Sequence, residues 1–129
     1  MTRETCEILK KYKTIAVVGY KPGKISGDIA HLLSENGYDV VGVNPVFKGE
    51  APIKVYSSLK EIPHKIDIVD VFRRSEFIHD LIPDVLEIKP KVLWLQLGIR
   101  NDEAVLPALE NGIAVIQDTC IKVEFFRCF

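Results

Sequence analysis

Glycines and lysines are concentrated in one short stretch, IAVVGYKPGKIS at 15–26. Gly19, Tyr20, Lys21, Gly23, Lys24 and Ser26 follow an apolar run, Ile15 to Val18, and precede an amphipathic one. Ile29, Leu32 and Leu33 are spaced i, i+3, i+4, which predicts a helix from about Ser26 to Asn36 with Gly37 as its stop. A strand–turn–helix of this kind presents backbone N–H groups and a positive dipole end at the turn. That is an anion site, and phosphate is the usual anion. Other polar residues sit just past apolar runs: Asn44-Pro45 after Val43, Arg73-Arg74 after Phe72, then Gln96 and Gly98, then Asp118 and Cys120. Polar groups gathered at strand exits predict a ligand cleft.

Two common phosphate motifs do not fit. The nucleoside-triphosphate loop needs G-x-x-x-x-G-K-[ST], and this turn is one residue short, with Ile25 where the hydroxyl belongs. The dinucleotide fingerprint G-x-G-x-x-G has Lys21 and Lys24 at its second and third glycines. The acid expected after the second strand is replaced by Asn44-Pro45. Lysines in the turn favour a ligand more heavily phosphorylated than NAD, with NADP retained. His31, His64 and His79 lack metal-ligand spacing. Cys6, Cys120 and Cys128 are too few and too scattered for a disulfide framework. A net charge of −1 with no Lys/Arg block argues against nucleic acid. No apolar run approaches a membrane span and the N-terminus lacks an apolar signal core, so the default location is cytoplasmic.

The elements that would position these groups alternate along one domain, 1–129. A short helix over 3–12 leads with Cys6, Leu9 and Tyr12 facing inward. Strands are expected at Ile15–Val18, Asp39–Val43, Ile66–Phe72, Val92–Leu97 and Ile113–Ile116, with Val55-Tyr56 as a short edge strand. Asp67 and Asp70 interrupt the third run, which places one of its ends near solvent. A helix from Ser75 to Ile88 contains Pro83, predicting a kink or a start near Asp80. Asn101 is a good N-cap and Gly112 a good exit, and the aromatic tail, 121–129, is expected to pack back as a helix. Strands apolar on both faces, separated by helices, give an α/β fold: a single doubly wound, Rossmann-like domain with about five parallel strands.

Together these segments resemble a stand-alone CoA-binding domain family, similar to the N-terminal domain of the succinyl-CoA synthetase α subunit. The matching pieces are IAVVGYKPGK at 15–24, NGYDVVGVNP at 36–45, VYSSLKEIP at 55–63, DIVDVFRR at 67–74, KVLWLQLGI at 91–99 and DTCIKVEF at 118–125. The resemblance implies that Gly19, Tyr20 and Lys24 surround the pantetheine and diphosphate. Val43, Asn44 and Pro45 would line the nucleotide side beside Phe72 and Arg73, with Gln96 and Gly98 near the pantetheine arm. Tyr20 stands where the family usually has a small residue, and would narrow the cleft or line it. Ser26 marks the helix start expected to hold the diphosphate. Lys21, Lys48 and Arg73 are all candidates for the 3′-phosphate.

The function expected is non-catalytic binding of CoA or an acyl-CoA, as a sensor or regulatory module, because no catalytic constellation or metal set is legible. The alternative is an NAD(P)-binding regulator or small reductase with Asp118 as its acid–base group. A third reading is redox work through Cys120. Phe125, Phe126 and Phe129 hint at a homodimer contact as much as at packing within the chain.

Overall fold

A computed structural model of the chain describes residues 2–47 and 51–129. Lys48, a candidate cation, therefore lies outside the described residues. The chain runs α1 (Thr2–Lys11), β1 (Thr14–Val18), α2 (Ile25–Ser34), β2 (Asp39–Val43), β3 (Val55–Tyr56), β4 (Ile68–Val71), α3 (Ile78–Ile88), β5 (Val92–Leu95), α4 (Leu106–Glu110), β6 (Ala114–Ile116) and α5 (Ile121–Cys128). Single 3-10 turns cover Leu59–Glu61 and Ser75–Phe77.

The strands form one parallel sheet in the order β3-β2-β1-β4-β5-β6. It has six strands rather than about five, because Val55-Tyr56 pairs with Gly42-Val43 at the edge. The order reverses between β1 and β4. Connections leave in opposite directions there, which opens a crevice at the carboxyl ends.

Alternation along each strand feeds two cores. Ala16, Val18, Val69 and Val71 face α3 and α4, while Ile15, Val17, Ile68 and Trp94 face the side of α1, α2 and α5. Burial on both faces explains why these strands read as continuous apolar runs. α3 passes through Pro83, which is exposed, and buries Ile78, Leu81, Ile82 and Val85. The Asn101 cap forms, its Oδ1 accepting from Ala104 N–H at 3.1 Å, but the chain makes turns before α4 begins.

Of the two aspartates in the third run, half-buried Asp67 keeps its start near solvent, as expected, but Asp70 does not approach solvent. It is fully buried at the centre of the sheet, paired in register with Val17 and Trp94, and neither carboxyl oxygen has a hydrogen-bond partner. The cysteines also do not all stay free. Folding α5 back against α1 brings Cys6 and Cys128 together as a disulfide across 122 residues, a pairing with no local sequence signature. In chain-entropy terms a loop of this length is worth about 4–5 kcal/mol. Only Cys120 is a free thiol.

The α1–α5 layer is also held by buried polar contacts. Thr5 Oγ1 donates to Glu124 Oε1 at 2.6 Å, and Tyr38 hydroxyl donates to Leu9 O at 2.6 Å. Phe125 packs edge-on against Tyr38, whereas Phe126 and Phe129 are exposed. Tyr38→Phe removes one of the two side-chain donors on the Leu9 carbonyl, leaving Lys13 Nζ at 3.2 Å, and chemical denaturation is expected to show a loss of about 0.5–1.5 kcal/mol. An unchanged midpoint would show that the bond contributes nothing net.

Candidate functional site

The crevice is built from backbone first. After Val18 the chain leans toward β2, with Gly19 N–H on Val43 O at 2.8 Å, while Phe72 N–H bonds Val18 O at 2.8 Å. Gly19 has φ +88°, and a Cβ there would lie 2.6 Å from Phe72 O. No other residue brings β1 and β4 so close at this exit. The turn then folds over the start of α2. Ser26 Oγ accepts from Lys21 N–H at 3.0 Å and donates to Gly19 O at 3.1 Å. Lys24 N–H bonds back to Lys21 O, and within α2 Asp28 is the first residue whose N–H bonds back, to Lys24 O. The amides ahead of it belong to the helix end that an anion satisfies. Lys24 is the N-cap and has no side-chain capping bond of its own.

A cleft of about 990 Å³ opens over this turn, at the upper end of the ~300–1,000 Å³ usual for small-molecule sites. Gly19, Lys21, Lys24, Ser26, Val43 and Asn44 line it, as do Pro45, Phe72, Arg73, Gln96, Gly98 and Cys120. The CoA-site candidates read from the sequence are thus in one place, except Tyr20 and Lys48, which lies outside the described residues; Asp118, the candidate of the alternative reading, is not part of the lining. The Tyr20 side chain turns away from the cleft and is fully buried. Its ring lies against Gly42, where a Cβ would sit 2.8 Å from the ring, and its hydroxyl shares a 2.8 Å hydrogen bond with His31 Nε2. The bulky residue neither narrows the cleft nor lines it. Gly42, on the facing strand, makes the room.

Several polar side chains shape the cleft. Asn44 Nδ2 donates to Tyr20 O at 2.9 Å, and its Oδ1 accepts from Val46 N–H at 3.0 Å. Gln96 Oε1 accepts from Ile121 N–H at 3.0 Å, anchoring the start of α5. Asp118 Oδ1 accepts from Gly98 N–H at 2.6 Å, so the suggested acid–base group closes the β5 exit turn. Arg73 stacks over Phe77 at 5.8 Å. Charge is divided between the walls. Lys21 and Lys24 lie on the α2 side and Arg73 and Arg74 at the β4 exit, while Glu76, Asp80 and Asp84 lie toward α3. That division steers phosphate to the α2 end.

The CoA binding domain family matches residues 13–125. The chain belongs to this family. It is 43% identical to the uncharacterized protein YneT of Bacillus subtilis, over 93% of this chain and 90% of that one. It is 33% identical to the alpha subunit of acetate–CoA ligase (ADP-forming) I of Pyrococcus furiosus, over 92% of this chain but only 24% of the subunit. Among solved structures, cell-free ID.343 from Thermus thermophilus superposes with a TM-score of 0.92 at 38% identity, covering 100% of this chain and 99% of that one.

Within this CoA-binding domain, some cleft residues were not legible in sequence. Ile25, Val46 and Leu97 line the cleft and are about 70% exposed or more. Ile25 falls on the same helical spacing as Ile29, Leu32 and Leu33, so periodicity reads it as core. It is exposed because it faces the open cleft, while its neighbours Ser26 and Gly27 are buried under the Lys21–Pro22 turn. Ser57, Ser58 and Asp84 also line the cleft. They reach it only because the chain after β3 packs against α3, and no local signal announces that.

Proposed function

We propose that this chain binds CoA or an acyl-CoA along the carboxyl edge of its sheet and does not itself make or break bonds in it, serving as a sensor or regulatory module. The observation that carries this reading is the cleft over Gly19. It is long, has the free amides of α2 and Lys21 and Lys24 at one end, and has apolar surface from Ile25, Val46 and Leu97 along its rim. Diphosphate fits the first, and adenine and pantetheine fit the second. The acetate–CoA ligase subunit, similar across most of this chain, is named for a CoA-dependent reaction. Binding without catalysis is supported by how the polar side chains are used. Ser26, Asn44, Gln96 and Asp118 all make bonds to the backbone that shape the cleft.

Calorimetry with CoA, acetyl-CoA, NAD and NADP tests the assignment. CoA and acetyl-CoA are expected to bind and the nicotinamide nucleotides to give no heat. Binding of NADP with no response to CoA would reverse the assignment. Incubation with acetyl-CoA is expected to release no free thiol. Replacing Lys21 and Lys24 together with alanine removes two charge-assisted contacts, and is expected to weaken CoA about tenfold or more and flatten the salt dependence. Unchanged affinity would move the diphosphate away from α2.

A further inference from the structure

We propose that the Cys6–Cys128 disulfide is a redox-sensitive clamp that, through α5, sets how tightly the cleft holds its ligand. The ligand is taken from the CoA reading above; the clamp itself stands on the geometry of α5.

α5 connects the two places directly. Its N-cap, Cys120, lines the cleft, and its last residue, Cys128, carries the disulfide to α1. The helix from Ile121 to Cys128 is eight residues without glycine or proline, a rod of about 12 Å. An isolated helix shorter than about 12–15 residues is marginal in water, so α5 depends on its attachments.

At the cleft end, Trp94 Nε1 donates to Thr119 O at 2.8 Å, Thr119 N–H bonds Leu95 O at 3.2 Å, and Ile121 N–H bonds Gln96 Oε1 at 3.0 Å. Gln96 is buried and faces the cleft, so the first amide of α5 fixes the rotamer of a cleft side chain. At the far end the disulfide is reinforced by Thr5–Glu124 and by Phe125 against Tyr38. Both disulfide cysteines are half-buried, open to a small thiol.

Reduction by a low-molecular-weight dithiol transfers two electrons and two protons to the pair. The S–S bond breaks, Cys6 and Cys128 become thiols, and the reductant closes to its own cyclic disulfide. A small disulfide oxidant reverses the step. Cys120 lies the length of the helix from Cys128 and takes no part in this exchange. With the clamp open, α5 frays toward Ile121, the buried Gln96 oxygen loses its donor, and the cleft wall loosens.

The test compares oxidised protein with protein reduced by dithiothreitol, by amide hydrogen exchange over 119–124, by Trp94 fluorescence, and by calorimetry with acetyl-CoA, whose blocked sulfur cannot exchange. Trp94 is the chain's one tryptophan and donates to Thr119 O, so its fluorescence reports on the surroundings of this attachment. Reduction is expected to speed exchange of the Ile121 amide about tenfold or more and to weaken acetyl-CoA about fivefold or more. Cys6→Ser should match the reduced wild type and ignore the reductant, while Cys120→Ser should keep the response. Unchanged Ile121 exchange on reduction overturns the clamp, as does faster exchange with an unchanged dissociation constant. Failure of acetyl-CoA to bind the oxidised protein would instead refute the CoA reading, and with it the effect on affinity; exchange would still decide whether the disulfide holds the cleft end of α5.

Discussion

Gly27→Ala is expected to lower stability by about 2–3 kcal/mol and to weaken CoA tenfold or more. Two effects oppose each other. Alanine favours an α-helix over glycine by about 1 kcal/mol, and Gly27 is helical. A Cβ at this position, however, would lie 2.3 Å from Lys21 O and 2.9 Å from Pro22 Cα. Both are backbone atoms of the turn that covers the start of α2, so neither can swing aside as a side chain would. The turn must lift. In doing so it breaks the bonds from Ser26 to Lys21 N–H and Gly19 O that place the anion-binding amides. Sterics therefore win over propensity, and affinity falls with stability. Gly23→Ala is the control. Gly23 lies in the same turn with φ +80° and open space around its Cβ position. It should cost only the left-handed strain, about 1–2 kcal/mol, with little effect on ligand. Urea denaturation and calorimetry on both variants check this, and a stabilised, tightly binding Gly27→Ala would contradict it.

Asp70→Asn is expected to stabilise the protein at neutral pH and to leave it unchanged in acid. Desolvation raises the Asp70 pKa well above its ordinary value, because the carboxyl is fully buried without a hydrogen-bond donor. A carboxyl whose folded pKa is raised has its full stability below the unfolded pKa, about 4. That stability is lost as pH climbs toward the folded value, since only the unfolded chain releases the proton readily. Asparagine keeps the shape and cannot ionise. The gap between variant and wild type should open from about pH 4 upward and widen until pH reaches the folded-state pKa. Melting curves across pH test this. A gap that stays constant with pH would mean that Asp70 titrates as it does in the unfolded chain.

The fold was legible because its signals are local and repeated. Short apolar runs at 15–18, 40–43 and 92–95, bounded by turn residues and separated by helical stretches, read as strands buried on both faces, and the glycine–lysine turn after the first announces the anion site. The features without a sequence signal depend on long-range packing. The Cys6–Cys128 pair needs α1 and α5 side by side. Asp70 reads as a strand end near solvent until the neighbouring strands are placed around it. Tyr20 sits among ligand-facing residues in sequence, and only Gly42, two turns of the fold away, explains why it points into the core. Gly27 carries a close approach that no motif marks, because its clash is with a backbone atom six residues earlier.

The central claim is that CoA lies across the carboxyl edge of the sheet with its diphosphate on the first turn of α2. The most direct measurement is an amide chemical-shift titration of isotope-labelled protein with CoA. Saturable shifts at Gly19, Ser26, Gly27 and Gly98, with residues at the opposite edge such as Lys91 and Gly112 unmoved, are the predicted result. Shifts confined to that opposite edge, or none at millimolar CoA, would contradict it.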